Sequence, residues 1–264
     1  MNLKLIGKTA LVTGSTAGIG LAIAESLVAE GANVVLNGRT RERVEAAVIT
    51  VKAGHDNARV SGVVADLSTT EGAEKVIQGI PDVDILVNNM GIFEPKPFDQ
   101  IPDEDWLKFF EANVMSGVRL GRFYLPKMKE KNWGRIVFIS SESGVQIPAE
   151  MVHYGMTKSA QIAIARGMAE TTAGTKVTVN SVLPGPTASE GVSKFVEQMA
   201  AEQNVTKEQM ETQFFETGRP SSLLKRFIEP KEVGDIVAFI CSPLASAING
   251  AAVRVDGGVI RSMF

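Results

Sequence analysis

Short apolar runs alternate with longer segments of helical periodicity along almost the whole chain. The predicted strands are Thr9–Thr13, Asn33–Leu36, Arg59–Val64, Asp84–Asn88, Arg135–Ser140, Lys176–Val182 and Ala252–Val255. Helical patterns cover about 18–30, 41–53, 70–79, 104–130, 153–170 and 231–241. This alternation is typical of βαβ units and predicts an α/β fold, a doubly wound sheet of seven parallel strands with helices on both faces. Ligands of such sheets bind beyond the carboxyl ends of the strands, so functional residues should follow strands.

One interval breaks this alternation. No strand is predicted from Pro184 to about Pro230, where the chain is polar and helical and carries Phe195, Met199, Met210, Phe214 and Phe215. A long insertion in a compact domain is usually functional. We therefore expect residues 1–264 to form one domain in which the 184–230 segment covers the substrate. The alternative is that these side chains only anchor helices to the core.

The charge balance excludes several classes of partner. Lys and Arg number 27 against 30 Asp and Glu, a net charge of −3, which gives no field for nucleic acid or an anionic membrane. The one cysteine, Cys241, excludes an internal disulfide and a multi-cysteine metal site, and its apolar surroundings predict a small buried hydrophobe. No signal peptide and no apolar run of about 18 residues is found, so we expect a cytoplasmic protein. We also expect that it binds no metal.

A glycine-rich turn joins the first strand to the first helix. It reads Thr13-Gly14-Ser15-Thr16-Ala17-Gly18-Ile19-Gly20. Glycines at this spacing let backbone N–H groups approach a pyrophosphate at a helix N-terminus. The spacing differs from the G-x-G-x-x-G dinucleotide fingerprint, and a plain tight turn is the alternative.

Together with other motifs, this turn resembles the short-chain dehydrogenase/reductase family. The motifs are Asn88-Asn-Met-Gly91, Asn113, Ser141, Tyr154-x-x-x-Lys158 and Pro184-Gly185, which cover nearly the whole chain in the family's order. The resemblance implies a single Rossmann domain with a seven-stranded parallel sheet. It also implies an NAD(P)-dependent oxidoreductase that interconverts a secondary alcohol and a ketone, assembled as a homotetramer.

The resemblance also implies which residues bind the cofactor. The turn contributes Gly14, Ser15, Thr16, Gly18, Ile19 and Gly20, and the adenosine end contributes Asp66, Leu67, Asn88 and Gly91. Around the nicotinamide and its ribose the implied residues are Tyr154, Lys158, Pro184, Gly185, Thr187 and Ser189, although a threonine is usual at the last position. Ordinary turn and helix-terminus roles are the alternatives for Asp66, Asn88, Gly91 and the Pro-Gly turn.

The end of the second strand favours NADP over NAD. An NAD site places an acid there to bind the ribose 2′-OH, whereas this chain has Gly38 followed by Arg39. Arg39, Arg41 and Arg43 crowd the start of a helix, where cations oppose the dipole, and a 2′-phosphate would resolve that conflict. A solvated basic face with Glu42 and Glu45 as partners is the alternative, and NAD is the alternative cofactor.

Tyr154 and Lys158 form the predicted catalytic pair. They are four residues apart on a predicted helix and therefore share a face. A nearby ammonium favours the phenolate form of tyrosine, which suits a proton donor or acceptor for a carbonyl. Ser141, just past a strand, can hydrogen-bond the substrate oxygen, and its neighbours Ser140 and Ser143 are rivals. The resemblance implies that Asn113 joins a water-mediated proton relay to Lys158; a satisfied core asparagine is the alternative.

Other functions fit the residues less well. A Ser/His hydrolase would need His153, which directly precedes Tyr154 and so points about 100° away from it on a helix. We interpret His153 as a pocket-wall or interface residue. A non-catalytic NADP-sensing protein would be expected to lack part of the Ser/Tyr/Lys set, and an epimerase or dehydratase to space its glycines differently. Candidate substrate-pocket residues outside the 184–230 segment are Phe93, Glu94, Glu142, Gln146, Met151 and His153.

Overall fold

The computed structural model of the chain describes residues 2–53, 55 and 58–263, and the side chains of Lys194 and Phe195 lie outside the described part. Within it, seven parallel strands form one sheet in the order β3-β2-β1-β4-β5-β6-β7. Their bounds are β1 Thr9–Val12, β2 Asn33–Gly38, β3 Val60–Val64, β4 Ile85–Asn88, β5 Gly134–Ile139, β6 Val177–Pro184 and β7 Ala252–Val255. The predicted doubly wound α/β fold is therefore confirmed.

The helices cover both faces of the sheet. They are α1 Gly18–Ala29, α2 Arg41–Ala53, α3 Thr70–Gly79, α4 Asp103–Phe110, α5 Ser116–Glu130, α6 Val152–Glu170, α7 Glu190–Gln203, α8 Lys207–Gln213 and α9 Pro230–Ile240. Helices α1, α2 and α9 share one buried apolar cluster with the sheet, and α3, α5 and α6 share a second. None of the described helices combines the length and apolar character that a bilayer crossing requires.

Strand side chains alternate between these two clusters. In β5, Ile136 and Phe138 belong to the cluster under α3, α5 and α6, whereas Val137 and Ile139 belong to the other. Every residue of β5 is buried, because a parallel strand in the middle of a sheet is covered on both faces. This explains why the strand is apolar at every core position rather than at alternate ones.

The site lies where the strand order reverses. From β1 the chain proceeds outward to β2 and β3 and then returns to β4 on the other side of β1. The carboxyl ends of β1 and β4 therefore diverge into helices on opposite faces, which leaves a crevice at this edge. The glycine turn follows β1 and Asn88 ends β4, so the predicted cofactor residues meet there.

The helical region expected as one helix over 104–130 has an irregular centre. A π-helical turn, Glu111–Met115, separates α4 from α5. Asn113 lies in this turn, with its side chain hydrogen-bonded to the backbone of Ile92. A π turn inserts an extra residue into the hydrogen-bond ladder and is common near functional sites. Apolar periodicity cannot reveal such a turn, because the pattern continues through it.

The 184–230 segment, which we call the covering segment, has a core of its own. In the described residues it contains α7, α8 and a second π-helical turn, Phe214–Gly218, with one isolated parallel bridge between Thr187 and Ile228. Its buried apolar residues form a third cluster, namely Val196, Ala200, Met210, Phe215 and Phe227. These helices pack against one another as well as against the rest of the chain.

Candidate active site

The glycine turn requires glycine at three positions. Gly14 and Gly18 have φ angles of +58° and +56°, in the left-handed region that side chains rarely adopt. A Cβ atom on Gly20 would lie 2.6 Å from the carbonyl oxygen of Gly14, so no side chain fits there. The helix that follows, α1, has no side-chain cap and no acid in its first turn. Its N-terminal N–H groups are therefore suited to an anion such as a phosphate.

The hydroxyl of Ser15 is engaged within the fold. It donates to the carbonyl of Val12 at 2.7 Å and accepts from the backbone N–H of Asn37 at 3.0 Å. Ser15 is fully buried, and its backbone N–H donates to the carbonyl of Asn37 at 2.9 Å, so both its hydroxyl and its N–H have partners within the fold. Thr16 lies against Gly38: a Cβ atom on Gly38 would lie 2.4 Å from the Thr16 methyl group. An acid at position 38 would fit only if Thr16 moved.

Arg39 differs from the two arginines that follow it. Arg41 pairs with Glu45 at 3.5 Å, and Arg43 pairs with Glu190 at 3.0 Å. Arg39 is exposed at the end of β2 and, among the described residues, forms no ion pair within 4.0 Å. A free guanidinium thus lies beside the crevice.

The residues expected at the adenosine end have different surroundings. Asp66 accepts from the backbone N–H and the hydroxyl of Ser68 at 3.0 and 2.7 Å, while Thr69 and not Asp66 caps α3. Leu67 is fully buried and belongs to the apolar cluster under α3, α5 and α6. Asn88 is 3% exposed, and neither polar atom of its amide has a partner among the described residues. An unpaired buried amide is uncommon and indicates a missing polar partner.

Ser141, Tyr154 and Lys158 come together after β5. Ser141 follows the strand, and the other two lie at the start of α6 with the Lys158 Nζ 5.5 Å from the centre of the Tyr154 ring. The rival Ser140 donates to the Lys158 carbonyl at 2.8 Å and so is engaged with the helix backbone. The rival Ser143 donates to Glu142 at 3.0 Å. Ser141 donates to the same carboxylate, and all three serines line the cavity beside Tyr154.

Burial dominates the titration of this pair. It raises the pKa of the Tyr154 phenol, and the charge of Glu142 acts in the same direction, whereas Ser141 and Arg219 lower it. Burial also lowers the pKa of Lys158 to about 7. The net shift of the Tyr154 pKa is upward and that of the Lys158 pKa is downward, because desolvation penalises the charged form of each residue.

Asn113 reaches Lys158 through a residue that the sequence reasoning missed. The Gln161 side chain donates to the Asn113 carbonyl at 2.6 Å and accepts from Lys158 Nζ at 3.1 Å. Lys158 Nζ also donates to the carbonyl of Ile139 at 2.9 Å. Gln161 is 1% exposed, so this amide bridge is dry. The available signal was an amide three residues after Lys158, on the same helix face and among apolar neighbours.

The cavity beside Tyr154 has a volume of about 340 Å³. Of the six candidate pocket residues, Phe93, Glu142 and Met151 line it. The prediction for His153 was wrong: its ring is fully buried 4.1 Å from that of Phe109, because it faces α4 and not the cavity. Glu94 and Gln146 do not line the cavity either. Further lining residues are Ile19, Pro184, Gly185, Thr187, Ser189, Met199, Met210, Phe214 and Phe227.

The covering segment contributes a buried cation to this cavity. Arg219 donates from Nε to Glu142 at 3.0 Å and from Nη1 to Glu150 at 3.1 Å. The contact joins residues 77 positions apart, which no local pattern reveals.

Cys241 is fully buried, as predicted, and burial raises the pKa of its thiol to about 12.

A sheet of this topology with such a cluster at its carboxyl edge belongs to the nucleotide-dependent oxidoreductases. The family model described as short chain dehydrogenase matches residues 8–200. The chain belongs to the short-chain dehydrogenase/reductase family, and it is a dehydrogenase or reductase.

Relatives and solved structures support this assignment. The chain is 50% identical over 264 residues to the uncharacterized oxidoreductase YvaG of Bacillus subtilis, covering 100% of both chains. It is 35% identical over 258 residues to the D-beta-hydroxybutyrate dehydrogenase of Cupriavidus necator, covering 96% of this chain and 98% of that one. L-sorbose reductase from Gluconobacter frateurii, solved with NADPH and L-sorbose, superimposes with a TM-score of 0.93 at 30% identity and 100% coverage of both chains.

Proposed function

We propose that this enzyme is an NADP-preferring oxidoreductase that interconverts a ketone and a secondary alcohol. The observation that carries the proposal is the shared cavity: Ser141 and Tyr154 both line it, and Lys158 lies buried behind the tyrosine ring. A substrate carbonyl in this cavity can therefore meet a hydroxyl and a phenol at the same time.

The residues present fit a dinucleotide phosphate. The glycine turn and the uncapped start of α1 suit its pyrophosphate, and the unpartnered amide of Asn88 suits a hydroxyl-bearing ribose. Arg39 supplies a free cation for the 2′-phosphate, while Thr16 crowds the position of an NAD-selecting acid. The remaining proposed contacts are Ser15, Asp66, Leu67, Gly91, Lys158, Pro184, Gly185, Thr187 and Ser189. When bound, the nicotinamide supplies or accepts the hydride.

The side chains then have separate roles in the proton chemistry. Ser141 holds the substrate oxygen and stabilises the charge that develops on it. Tyr154 donates a proton to that oxygen in reduction and takes it back in oxidation. Because burial and Glu142 raise its pKa, the phenol is protonated at neutral pH, which suits reduction. Lys158 tunes Tyr154 and orients the ribose, and Asn113 supports Lys158 through Gln161.

The experiment that tests the proposal is a panel of ketones and alcohols with NADPH and NADH, followed through nicotinamide absorbance. Tyr154→Phe keeps the ring and removes the proton donor, so kcat should fall by roughly 10²–10⁴-fold with little change in cofactor affinity. Near wild-type turnover of this variant would refute the role of Tyr154. NADPH binding without turnover of any substrate would instead favour the non-catalytic sensing alternative.

We also propose the homotetramer that the family resemblance implies. Leu107 and Phe110 of α4 expose 67% and 38% of their surface, which is consistent with a contact between subunits. Light scattering coupled to gel filtration tests this, and a monomeric mass would contradict it.

A further inference from the structure

The wall of the active-site cavity has two chemically distinct parts. Most of it is apolar, with Phe93, Met151, Met199, Phe214 and Phe227 among the lining residues. Its charged part is the set Glu142, Glu150 and Arg219, which we call the charged cluster and which includes every charged residue among the described lining residues. The apolar part suits a hydrocarbon body, so the charged cluster decides which polar groups can accompany it.

The cation of the charged cluster is already neutralised. Arg219 donates to Glu142 at 3.0 Å and to Glu150 at 3.1 Å, and its Nη1 also donates to the Gly218 carbonyl at 2.8 Å. The side chains of Arg219 and Glu142 are 10% and 5% exposed, so this pair is almost dry. One guanidinium and two carboxylates leave the cluster with a net charge of +1 − 2 = −1.

The negative charge is fixed next to the reacting position. Glu142 accepts from the backbone N–H of Ser143 at 2.8 Å and from its hydroxyl at 3.0 Å, and also from the Ser141 hydroxyl. The Ser141 hydroxyl can turn to a substrate, but the two donors of Ser143 and the donor of Arg219 remain, so Glu142 cannot turn away from that substrate without leaving buried groups unpaired. A substrate carbonyl held by Ser141 therefore lies beside a fixed carboxylate.

We propose that the charged cluster restricts this enzyme to uncharged ketones and alcohols and excludes substrates that carry a carboxylate near the carbonyl. This inference rests on the proposed function. A substrate carboxylate would lose its hydrating water on entry and face the Glu142 carboxylate. The nearby Arg219 guanidinium cannot compensate, because it already pairs with Glu142 and Glu150. Two like charges in a desolvated site repel each other strongly. The D-beta-hydroxybutyrate dehydrogenase relative is named for a carboxylate, so the substrate class differs from that relative's in spite of 35% identity. L-sorbose, bound in the structural neighbour, is uncharged.

The test compares ketones that differ by one charge and little else. Acetoacetamide and acetoacetate form a small pair, and 4-acetylbenzamide and 4-acetylbenzoate form a larger apolar pair. In the pair whose amide the enzyme reduces more efficiently, we expect kcat/KM with NADPH to be at least about 100-fold higher for the amide than for the acid. This is the effect expected of one like-charge repulsion in a desolvated site. The acid should also fail to inhibit reduction of its amide. An acid turned over within tenfold of its amide overturns the proposal.

Variants test whether the charged cluster causes the discrimination. Glu150→Gln and Glu142→Gln each free part of the Arg219 guanidinium, so each should lower the amide-to-acid ratio by about tenfold or more. Glu94→Gln is the matched control, since Glu94 pairs with Lys96 at 3.6 Å outside the cavity, and its ratio should stay at the wild-type value. Glu150 is exposed, so Glu150→Gln should fold even if Glu142→Gln does not.

The outcomes separate this inference from the function on which it rests. Ratios that stay at the wild-type value in both cluster variants overturn the role of the charged cluster. Turnover of acids and amides alike keeps the reductase and removes the charge selection. Absence of turnover on these pairs and on the whole ketone panel removes the proposed function and this inference together.

Discussion

Replacing Gln161 by leucine should change the pH dependence of the enzyme. Gln161 accepts from Lys158 Nζ at 3.1 Å, so the substitution leaves that ammonium with the Ile139 carbonyl as its acceptor. A hydrogen bond to a charged group is worth about 1.5–3 kcal/mol, and one pH unit corresponds to about 1.4 kcal/mol. The pKa of Lys158, which burial already lowers to about 7, should therefore fall by about one to two pH units in the variant.

The sign follows from which form of Lys158 is needed. The proposed role requires the ammonium, so activity is lost as pH rises through the pKa of Lys158, and the basic limb of the kcat/KM profile should move to lower pH. Gln161→Glu places a carboxylate at the same position and should move that limb to higher pH. Both variants remove the N–H donor to the Asn113 carbonyl, so their difference isolates the contact with Lys158.

The assay is ketone reduction at saturating NADPH across the pH range in which each variant stays folded, with thermal unfolding measured in parallel. Loss of the donor to the buried Asn113 carbonyl should cost both variants about 1–3 kcal/mol of unfolding free energy. If the Leu and Glu variants shift the basic limb in the same direction, or neither shifts it, the reasoning about Lys158 is wrong.

Three further predictions concern the cofactor and the covering segment. Arg39→Ala should raise the KM for NADPH by roughly 10- to 100-fold and leave NADH unaffected, whereas Arg41→Ala, which removes a pair with Glu45, should change neither; equal effects of Arg39→Ala on both cofactors would contradict NADP selection. Lys158→Met should lower both kcat and cofactor affinity, and a loss of kcat alone would leave it no role at the ribose. Amide hydrogen exchange in residues 184–230 should be fast in the free enzyme and slow with cofactor and ketone bound; protection equal to that of the sheet before ligand is added would make the segment part of the core.

Local patterns predicted the sheet well. The apolar runs located all seven strands to within a few residues. The central strands β4 and β5 are buried throughout and so are mostly apolar, whereas the edge strands β3 and β7 are partly exposed. The family resemblance assigned Ser15 and Leu67 to the cofactor, and both residues are fully buried in the fold. Motif spacing identifies positions along the chain, and it does not reveal which part of a residue faces a ligand.

The contacts that were missed depend on distant or irregular structure. Arg219 meets Glu142 across 77 positions, and Gln161 meets a carbonyl in a π-helical turn that no periodicity predicts. The low pKa of Lys158 comes from its burial in the assembled fold. The sequence shows that a lysine is present, but it does not show how far that lysine is removed from water.

The separate core of the covering segment has a consequence for how this enzyme can change. Val196 and Phe215 belong to the third apolar cluster, inside the segment, and to neither of the two clusters that pack against the sheet. Mutational effects on sites without shared partners usually add, so the stability cost of repacking this core should be independent of substitutions in the sheet and the glycine turn. Met199, Met210 and Phe214 face the cavity from that same unit. A library of variants confined to these three positions can therefore be screened for activity on new ketones, while the residues proposed to bind the nucleotide stay unchanged.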